Sequence, residues 1–493
     1  MKRALWSKMV LTGIMVMVGI GSVAMAAPLV AVAPSGASGG KPNFLFILTD
    51  DQRASAIRSA GCTEIITPAM DRLISEGVLF SHATIMGGNT AAICLPSRSM
   101  IMTGSSLFKC GGVIPKDFTT MPESLRKNGY TTFTTGKWHN DEDSLLRSFE
   151  FGEAVFHGGM GPHFNTPVFD VKGGAMVNER DITTFDAAAF ADATIKFLKS
   201  RPKDKPFFAY ISFKTPHDPR VVPDKYHKMY DASKITLPPN FMPRHPFDNG
   251  ELNVRDEKLA RTPRTPDEIK QHIAAYYAAT SATDDQIGRV LKVVDELGLA
   301  ENTIVIFAGD NGLAVGQHGL MGKQNLYDHS ARVPLVFRGR GVPKGKRSDA
   351  LCQLFDICPT VLRMAGVKPP PTADGKDLGP VIKGQAQELR DATLHAYSKI
   401  QRAVRTRDSK LIEYLVDGKS TTQLFDLTTD PWEMKNLAGD PAHAVMLKTL
   451  RDRMAQLNME YEALPLGTAF KGKNINGKKK GKKPKNAEAD EEQ

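Results

Sequence analysis

The stretch PNFLFILTDD, residues 42–51, decides the reading of the fold. Asn43–Thr49 is apolar without alternation, closed in front by Pro42 and behind by Asp50-Asp51. A strand wet on one face alternates polar and apolar residues. A strand apolar on both faces is covered on both sides, which is the condition of a parallel sheet under helices. The same texture recurs at Tyr130–Thr135, Pro206–Phe213, Thr303–Gly309 and Val333–Gly339. Each is expected as a buried parallel strand. Helical patterns fall at Pro68–Glu76, Met121–Asn128, Asp186–Ser200, Thr265–Leu297 and Leu351–Ala365. This alternation predicts an α/β fold with a large, mainly parallel sheet flanked by helices.

Ligands of such sheets gather at the carboxyl ends of the strands. Three predicted strands run straight into polar clusters there: Asp50-Asp51, Gly136-Lys137-Trp138-His139 and Asp310-Asn311. Past residue 385 the texture changes. Short β-like segments (Thr393–Ser398, Arg402–Thr406, Lys410–Leu415, Gln423–Leu427) precede a long helical stretch, Pro441–Ala463. The expected organisation is a catalytic α/β domain over 42–384 and a C-terminal subdomain over 385–470, a small antiparallel sheet plus a helix.

The 493 residues are 41 % hydrophobic and 24 % charged, which excludes a disordered chain, a fibrous repeat and a multispanning membrane protein. The formal charge of +10 sits mostly at the ends. Lys2, Arg3 and Lys8 stand without an acid, and residues 471–493 hold eight Lys against Glu488, Asp490, Glu491 and Glu492. The body between is nearly balanced, which argues against a nucleic-acid partner. The basic start, the uncharged Met9–Val23 and Ala24-Met25-Ala26 read as a signal peptide over 1–26, cleaved after Ala26. Export to the periplasm or medium is expected, without stable membrane insertion. An uncleaved anchor is the alternative, because Met9–Pro34 carries no charge. Residues 27–41 read as a linker and 471–493 as a disordered Lys-rich tail. Of the five cysteines, Cys352 and Cys358 could pair, but inside a predicted helix they read better as two buried thiols.

The remaining motif is Cys94-Leu95-Pro96-Ser97-Arg98, followed by Ser99-Met100-Ile101-Met102-Thr103-Gly104. Taken alone it is a buried cysteine before a helix start. As the whole string C-x-P-S-R-x5-T-G it resembles the type I sulfatases of the alkaline-phosphatase superfamily, and companion motifs follow in order over about residues 42–440. The resemblance implies that Cys94 is oxidised to formylglycine by a maturation enzyme and acts as its hydrate. It implies that Arg98 holds that hydrate, that Lys137, His139 and Lys323 contact the nucleophile and the sulfate, and that His217 serves the leaving oxygen. His139 is the expected base for the second step.

The chemistry supports a metal. A sulfate ester is anionic, and a divalent cation neutralises it while activating an oxygen nucleophile. Ca²⁺, or Mg²⁺, takes oxygen ligands, and Asp50, Asp51, Asp310 and Asn311 supply them from two strand ends. By resemblance, modified Cys94 completes the shell. Alone, Asp-Asp after a strand reads as a helix cap and Ala308–Gly312 as a turn. His318, Asn140, Asp141, Arg147, Asp218, Arg220, Asp328, His329 and Arg332 lie beside matched positions without an assigned role. Asp328 and Arg332 are spaced for a helix-face ion pair. His157 and His163 sit in a Gly-rich loop that could reach the pocket. The implied activity is hydrolysis of a sulfated carbohydrate. The alternatives are a phosphodiesterase or phosphonate monoester hydrolase of the same superfamily, and a polyanion-binding protein using its tail.

Overall fold

A computed structural model of the chain describes residues 40–470. The signal peptide, the linker up to residue 39 and the Lys-rich tail lie outside the described residues. Among the described residues fifteen strands follow one another: β1 Asn43–Thr49, β2 Gly77–Thr84, β3 Gly87–Gly88, β4 Thr131–Lys137, β5 Phe151–Phe156, β6 Thr166–Lys172, β7 Ala175–Ile182, β8 Phe207–Ser212, β9 Thr303–Gly309, β10 Leu335–Gly339, β11 Lys346–Gln353, β12 Thr393–Tyr397, β13 Gln401–Arg405, β14 Ser409–Val416 and β15 Lys419–Asp426. Ten of them form the large sheet, in the order β11-β2-β10-β9-β1-β8-β4-β5-β6-β7. Its centre, β9-β1-β8-β4-β5, is parallel throughout.

The apolar run Asn43–Thr49 is buried at every position. Phe44, Phe46 and Leu48 join one core cluster, with Ile101, Met121, Leu125 and Val361 of the helices Cys94–Thr103, Met121–Lys127 and Ile357–Met364. Leu45 and Ile47 join the other, with Phe190 and Ile287 of the helices Asp186–Ser200 and Pro266–Glu296. Period-two alternation thus sends each half of β1 into a separate hydrophobic layer. The five-stranded sheet, in the order β15-β14-β13-β12-β3, is antiparallel except where β12 meets β3. Gly87, at φ 121°, makes that joint possible: a Cβ there would lie 2.0 Å from the Ala396 carbonyl oxygen. The small sheet is thereby stitched to the segment that leads into Cys94.

Two expectations are corrected. Val333–Gly339 contributes β10, but β10 is antiparallel to both β9 and β2. An apolar run reports burial on two faces and carries no information on strand direction. Leu351–Ala365 is not one helix: Cys352 lies in β11, and the helix begins only at Ile357. Cys352 and Cys358 are nonetheless two buried free thiols. Strands β2 and β5–β7 were not anticipated. β7 is mostly exposed and polar, so it carries no hydrophobic signature.

The helix Pro68–Ser75 is held at its start by a neighbouring helix rather than by its own cap. The preceding residue, Thr67, makes no capping bond with its side chain. Instead Asp284, in Pro266–Glu296, accepts the Ala69 and Met70 amides at 3.0 and 2.8 Å. Burial raises the Asp284 carboxyl to about 7 against the opposing pull of those two amides. The folded protein then binds a proton that the unfolded chain, titrating near 3.8, has already released. This group's contribution to stability therefore falls as pH rises from about 4 to about 7. Asp284→Asn is expected to flatten the dependence of Tm on pH in that window, measured by thermal melts against the parent protein.

Candidate active site

The helix Cys94–Thr103 begins with the motif cysteine, so Cys94 sits in its first turn, only 2 % exposed. The helix ends at Gly104, which takes the left-handed conformation at φ 70°. One turn on from Cys94, the guanidinium of Arg98 is buried. Its Nε donates to Asp310 Oδ2 at 2.9 Å, and its Nη1 donates to the Lys137 carbonyl at 2.9 Å and to Ser212 Oγ. Arg98 therefore ties together the carboxyl ends of β9, β4 and β8.

Three groups converge on the Cys94 sulfur. His139 Nδ1 lies 3.3 Å away, Lys137 Nζ 3.4 Å and Lys323 Nζ 4.0 Å. Lys137 also donates to Asp50 Oδ2, and Lys323 to Asp51 Oδ1 at 2.5 Å. Asn311 Nδ2 donates to Asp51 Oδ1 at 2.7 Å, while the Asp51 amide donates to Asp310 Oδ1. His217 directs Nε2 at Asp51 Oδ2, 3.7 Å away, and its Nδ1 lies 2.7 Å from the Asp218 carbonyl. A carbonyl only accepts, so Nδ1 carries the proton and Nε2 is left with its lone pair in the neutral ring. All the residues expected at the site are thus brought together. Lys137 and His139 do not share an extended segment, as their spacing predicted. Lys137 closes β4, and His139 sits at φ 56°, a left-handed turn that swings its ring back onto the sulfur.

The charges are mutually dependent. Burial opposes ionisation of Asp50, but Lys137, His217 and Arg98 hold its carboxyl well below the usual range. Burial together with the Asp50 charge pushes Asp310 up to about 7. Burial, with Lys137 and Arg98 beside it, keeps His139 well below an ordinary histidine, so the ring is neutral at physiological pH. His217 is lowered by burial to about 4, despite the pull of Asp51.

The donor set fits a hard cation. Asp50, Cys94 and Asp310 offer atoms within 4.8 Å of one another, as do Asp50, Asp51 and His217. Asp50 Oδ1 and Asn311 Oδ1 are buried without a hydrogen-bond partner. Unpaired buried oxygens of this kind are costly unless something positive meets them. The place of His217 in a ligand cluster was not foreseen; nothing in sequence spacing brings it to Asp51.

The Gly-rich loop 157–163 does reach the site, through its backbone. A Cβ on Gly159 would lie 2.4 Å from His139 Nε2. His163 faces Asp186 through Nδ1 and the His217 carbonyl through Nε2, at 3.3 and 3.1 Å. Gly159→Ala is expected to turn His139 off the sulfur and lower kcat by about 10–100-fold while leaving Tm nearly unchanged, measured by steady-state kinetics and thermal melts. Several residues left without a role serve the scaffold. Asn140 accepts from Ser99 and the Ile114 amide, Asp141 caps Glu142–Ser148, and Arg147 binds Glu123 and the Phe118 carbonyl. His318 stacks on Tyr327 at 4.0 Å, and Asp328 binds Lys410, Arg405 and, as its spacing predicted, Arg332. Asp218 pairs with Arg255.

The sulfatase family model matches residues 42–367, and the C-terminal model of N-sulphoglucosamine sulphohydrolase matches residues 316–460. An ulvan-active sulfatase of Formosa agariphila is 30 % identical over 469 residues, covering 89 % of this chain and 84 % of its own. A solved structure of an enzyme with its substrate D-glucosamine-2-N,6-O-disulfate has a TM-score of 0.75 at 24 % identity, covering 87 % of this chain and 99 % of that one. The phosphonate monoester hydrolase of Agrobacterium radiobacter has a TM-score of 0.70 at 21 % identity, covering 85 % of this chain and 96 % of that one. At these identities the two structures show a shared fold. The chain belongs to the sulfatase family of the alkaline-phosphatase superfamily, and is an enzyme that hydrolyses sulfate esters.

Proposed function

We propose that this sulfatase releases inorganic sulfate from a sulfated carbohydrate, using formylglycine formed from Cys94 by a maturation enzyme and a bound Ca²⁺, with Mg²⁺ as the alternative. The observation that carries the reading is the convergence of His139, Lys137 and Lys323 on the Cys94 sulfur beside the clustered carboxylates of Asp50, Asp51 and Asp310 and the unpartnered Asn311 Oδ1. Asp50, Asp51, Asp310 and Asn311 would hold the cation together with residue 94. When bound, the cation polarises the sulfate oxygens, and the hydrated aldehyde supplies the attacking hydroxyl.

The chain's own residues do the rest. Lys137 and Lys323 offset the charge that gathers on the sulfate oxygens. Arg98, clamped at three strand ends, fixes the first turn of its helix and so the direction of residue 94. His139, neutral and aimed through Nδ1 at the side chain of residue 94, receives the proton released in the second step. His217 commits Nδ1 to the Asp218 carbonyl. Its free Nε2, turned toward Asp51, takes the proton of the attacking hydroxyl and gives that same proton to the departing alcohol oxygen. Residues 42–384 would form the catalytic domain and 385–470 the subdomain behind it. Among the described residues no helix is long and apolar enough to cross a membrane. The basic, apolar and Ala-x-Ala features of residues 1–26 support export.

The ulvan-active relative and the glucosamine-disulfate complex support a sulfated saccharide as substrate. The phosphonate hydrolase of similar fold sets the competing reading. Sulfate release from glucosamine 6-sulfate and from sulfated polysaccharides, run beside phosphonate monoester hydrolysis, tests both. Sulfated sugars are expected to be the better substrates. A phosphonate turned over faster than every sulfate would overturn the proposal.

A further inference from the structure

A cavity of about 560 Å³ lies apart from the cysteine site, and none of the six catalytic candidates lines it. Its walls include Arg53, His329, Trp432, Pro238 and Tyr277. Arg53 is only 5 % exposed, and its Nε and Nη1 have no hydrogen-bond partner. The guanidinium rests on the face of Tyr276, 5.1 Å from the ring centre. A ring face offsets part of a buried charge but accepts none of the five N–H bonds of a guanidinium. A buried cation left in that state is destabilising unless an anion joins it.

The acids on the cavity wall do not fill this need. Asp328 Oδ1 accepts from Lys410 at 2.6 Å, and Glu433 accepts from Lys410 and from the Asp328 amide, both at 2.7 Å. Glu64 accepts from the Thr236 amide at 3.0 Å. The other cation, Arg332, already faces Asp328 at 3.6 Å. His329 lines the same space with both ring nitrogens unpartnered. Burial, with His318 and Arg53 nearby, holds that ring well below an ordinary histidine, so it is neutral and offers one donor and one acceptor. Trp432, 40 % exposed, and Pro238 supply the flat apolar surface on which a sugar ring lies.

We propose that this cavity is a second sulfate-group site, in which Arg53 and His329 bind the oxyanion of inorganic sulfate or of a sulfated saccharide. Tyr276 is one link between this cavity and the catalytic site. Tyr276 carries Arg53 on its face, while its hydroxyl accepts from the Arg53 amide and donates to the Asp51 carbonyl at 2.7 Å. Neither Arg53 nor His329 touches Cys94, so anion binding here stands or falls separately from the chemistry at that residue.

The test is calorimetric titration of the full chain in a Cys94→Ala background, so that no ester is cleaved. The probes are sodium sulfate, glucosamine 6-sulfate and glucosamine. The sulfate-bearing probes are expected to bind in two equivalents, one lost or weakened about tenfold or more in Arg53→Met; glucosamine is expected not to bind the cavity. Trp432→Ala separates the occupants. Weaker cavity binding of glucosamine 6-sulfate alone identifies the ester, and unchanged binding of both identifies the free anion. A single equivalent in the parent, or two unaltered equivalents in a folded Arg53→Met protein, overturns the proposal. Should Arg53→Met fail to fold, crystals of the parent soaked in selenate decide it. Anomalous density within hydrogen-bond distance of the Arg53 guanidinium, matched by the second equivalent in solution, supports the site. Density at soaking concentration only, or none there, counts against it.

Discussion

Cys94→Ala is expected to lower sulfate release by roughly 10⁴-fold or more, the scale on which removal of a nucleophile acts. The fold should survive, because the sulfur is one small buried group at a helix start, and trimming it costs about 1–2 kcal/mol. Circular dichroism and a thermal melt check that point beside the kinetics. The same residue makes a covalent prediction. In protein from a maturation-competent host, the peptide spanning residue 94 should be about 18 Da lighter than its thiol form, the difference between CH₂SH and CHO. Full activity with an intact thiol would refute the assignment. Before maturation, burial raises the Cys94 thiol above its ordinary value in spite of Lys137 and Lys323. The unmodified side chain is then a poor nucleophile at neutral pH, so immature protein should be inactive as well.

Asp310→Asn and Asp51→Asn are expected to lower both cation affinity and turnover by about 10²-fold or more, since a ligand should matter at least as much as the groups that support one. Asp310→Asn also takes the charge from the Arg98 ion pair at 2.9 Å, in a place where neither partner is more than 1 % exposed. Breaking a buried pair costs about 3–5 kcal/mol. A fall in Tm should accompany Asp310→Asn. Asp51 has Lys323, Asn311 and His217 around it, so its variant separates ligand loss from the Arg98 effect. Metal content by elemental analysis, and turnover after chelation and after adding Ca²⁺ back, provide the readouts. Activity that persists with no bound metal after exhaustive chelation would remove the cation from the mechanism.

What residue order alone determined was the class of fold and the family, through the cysteine string; it also named the candidate residues that the fold then brings together. Asn43–Thr49 and Thr303–Gly309 could be read as buried strands because two-sided burial removes every charged residue, and that is a local property. The cysteine string was legible because its members lie within one helix and its end. Strand direction was not local: β10 has the same apolar texture as its parallel neighbours and runs against them. The polar edge strand β7 left no mark, and the apolar stretch 351–365 concealed a change from strand to helix. The contacts that set chemistry were decided only in three dimensions. His217 meets Asp51 from a distant part of the chain, Gly159 makes room for His139, and Arg53 is left with two unpartnered nitrogens beside a cavity. Each depends on which strand ends the sheet order makes adjacent and on how closely two backbones approach, and neither quantity is encoded in any single stretch of the chain.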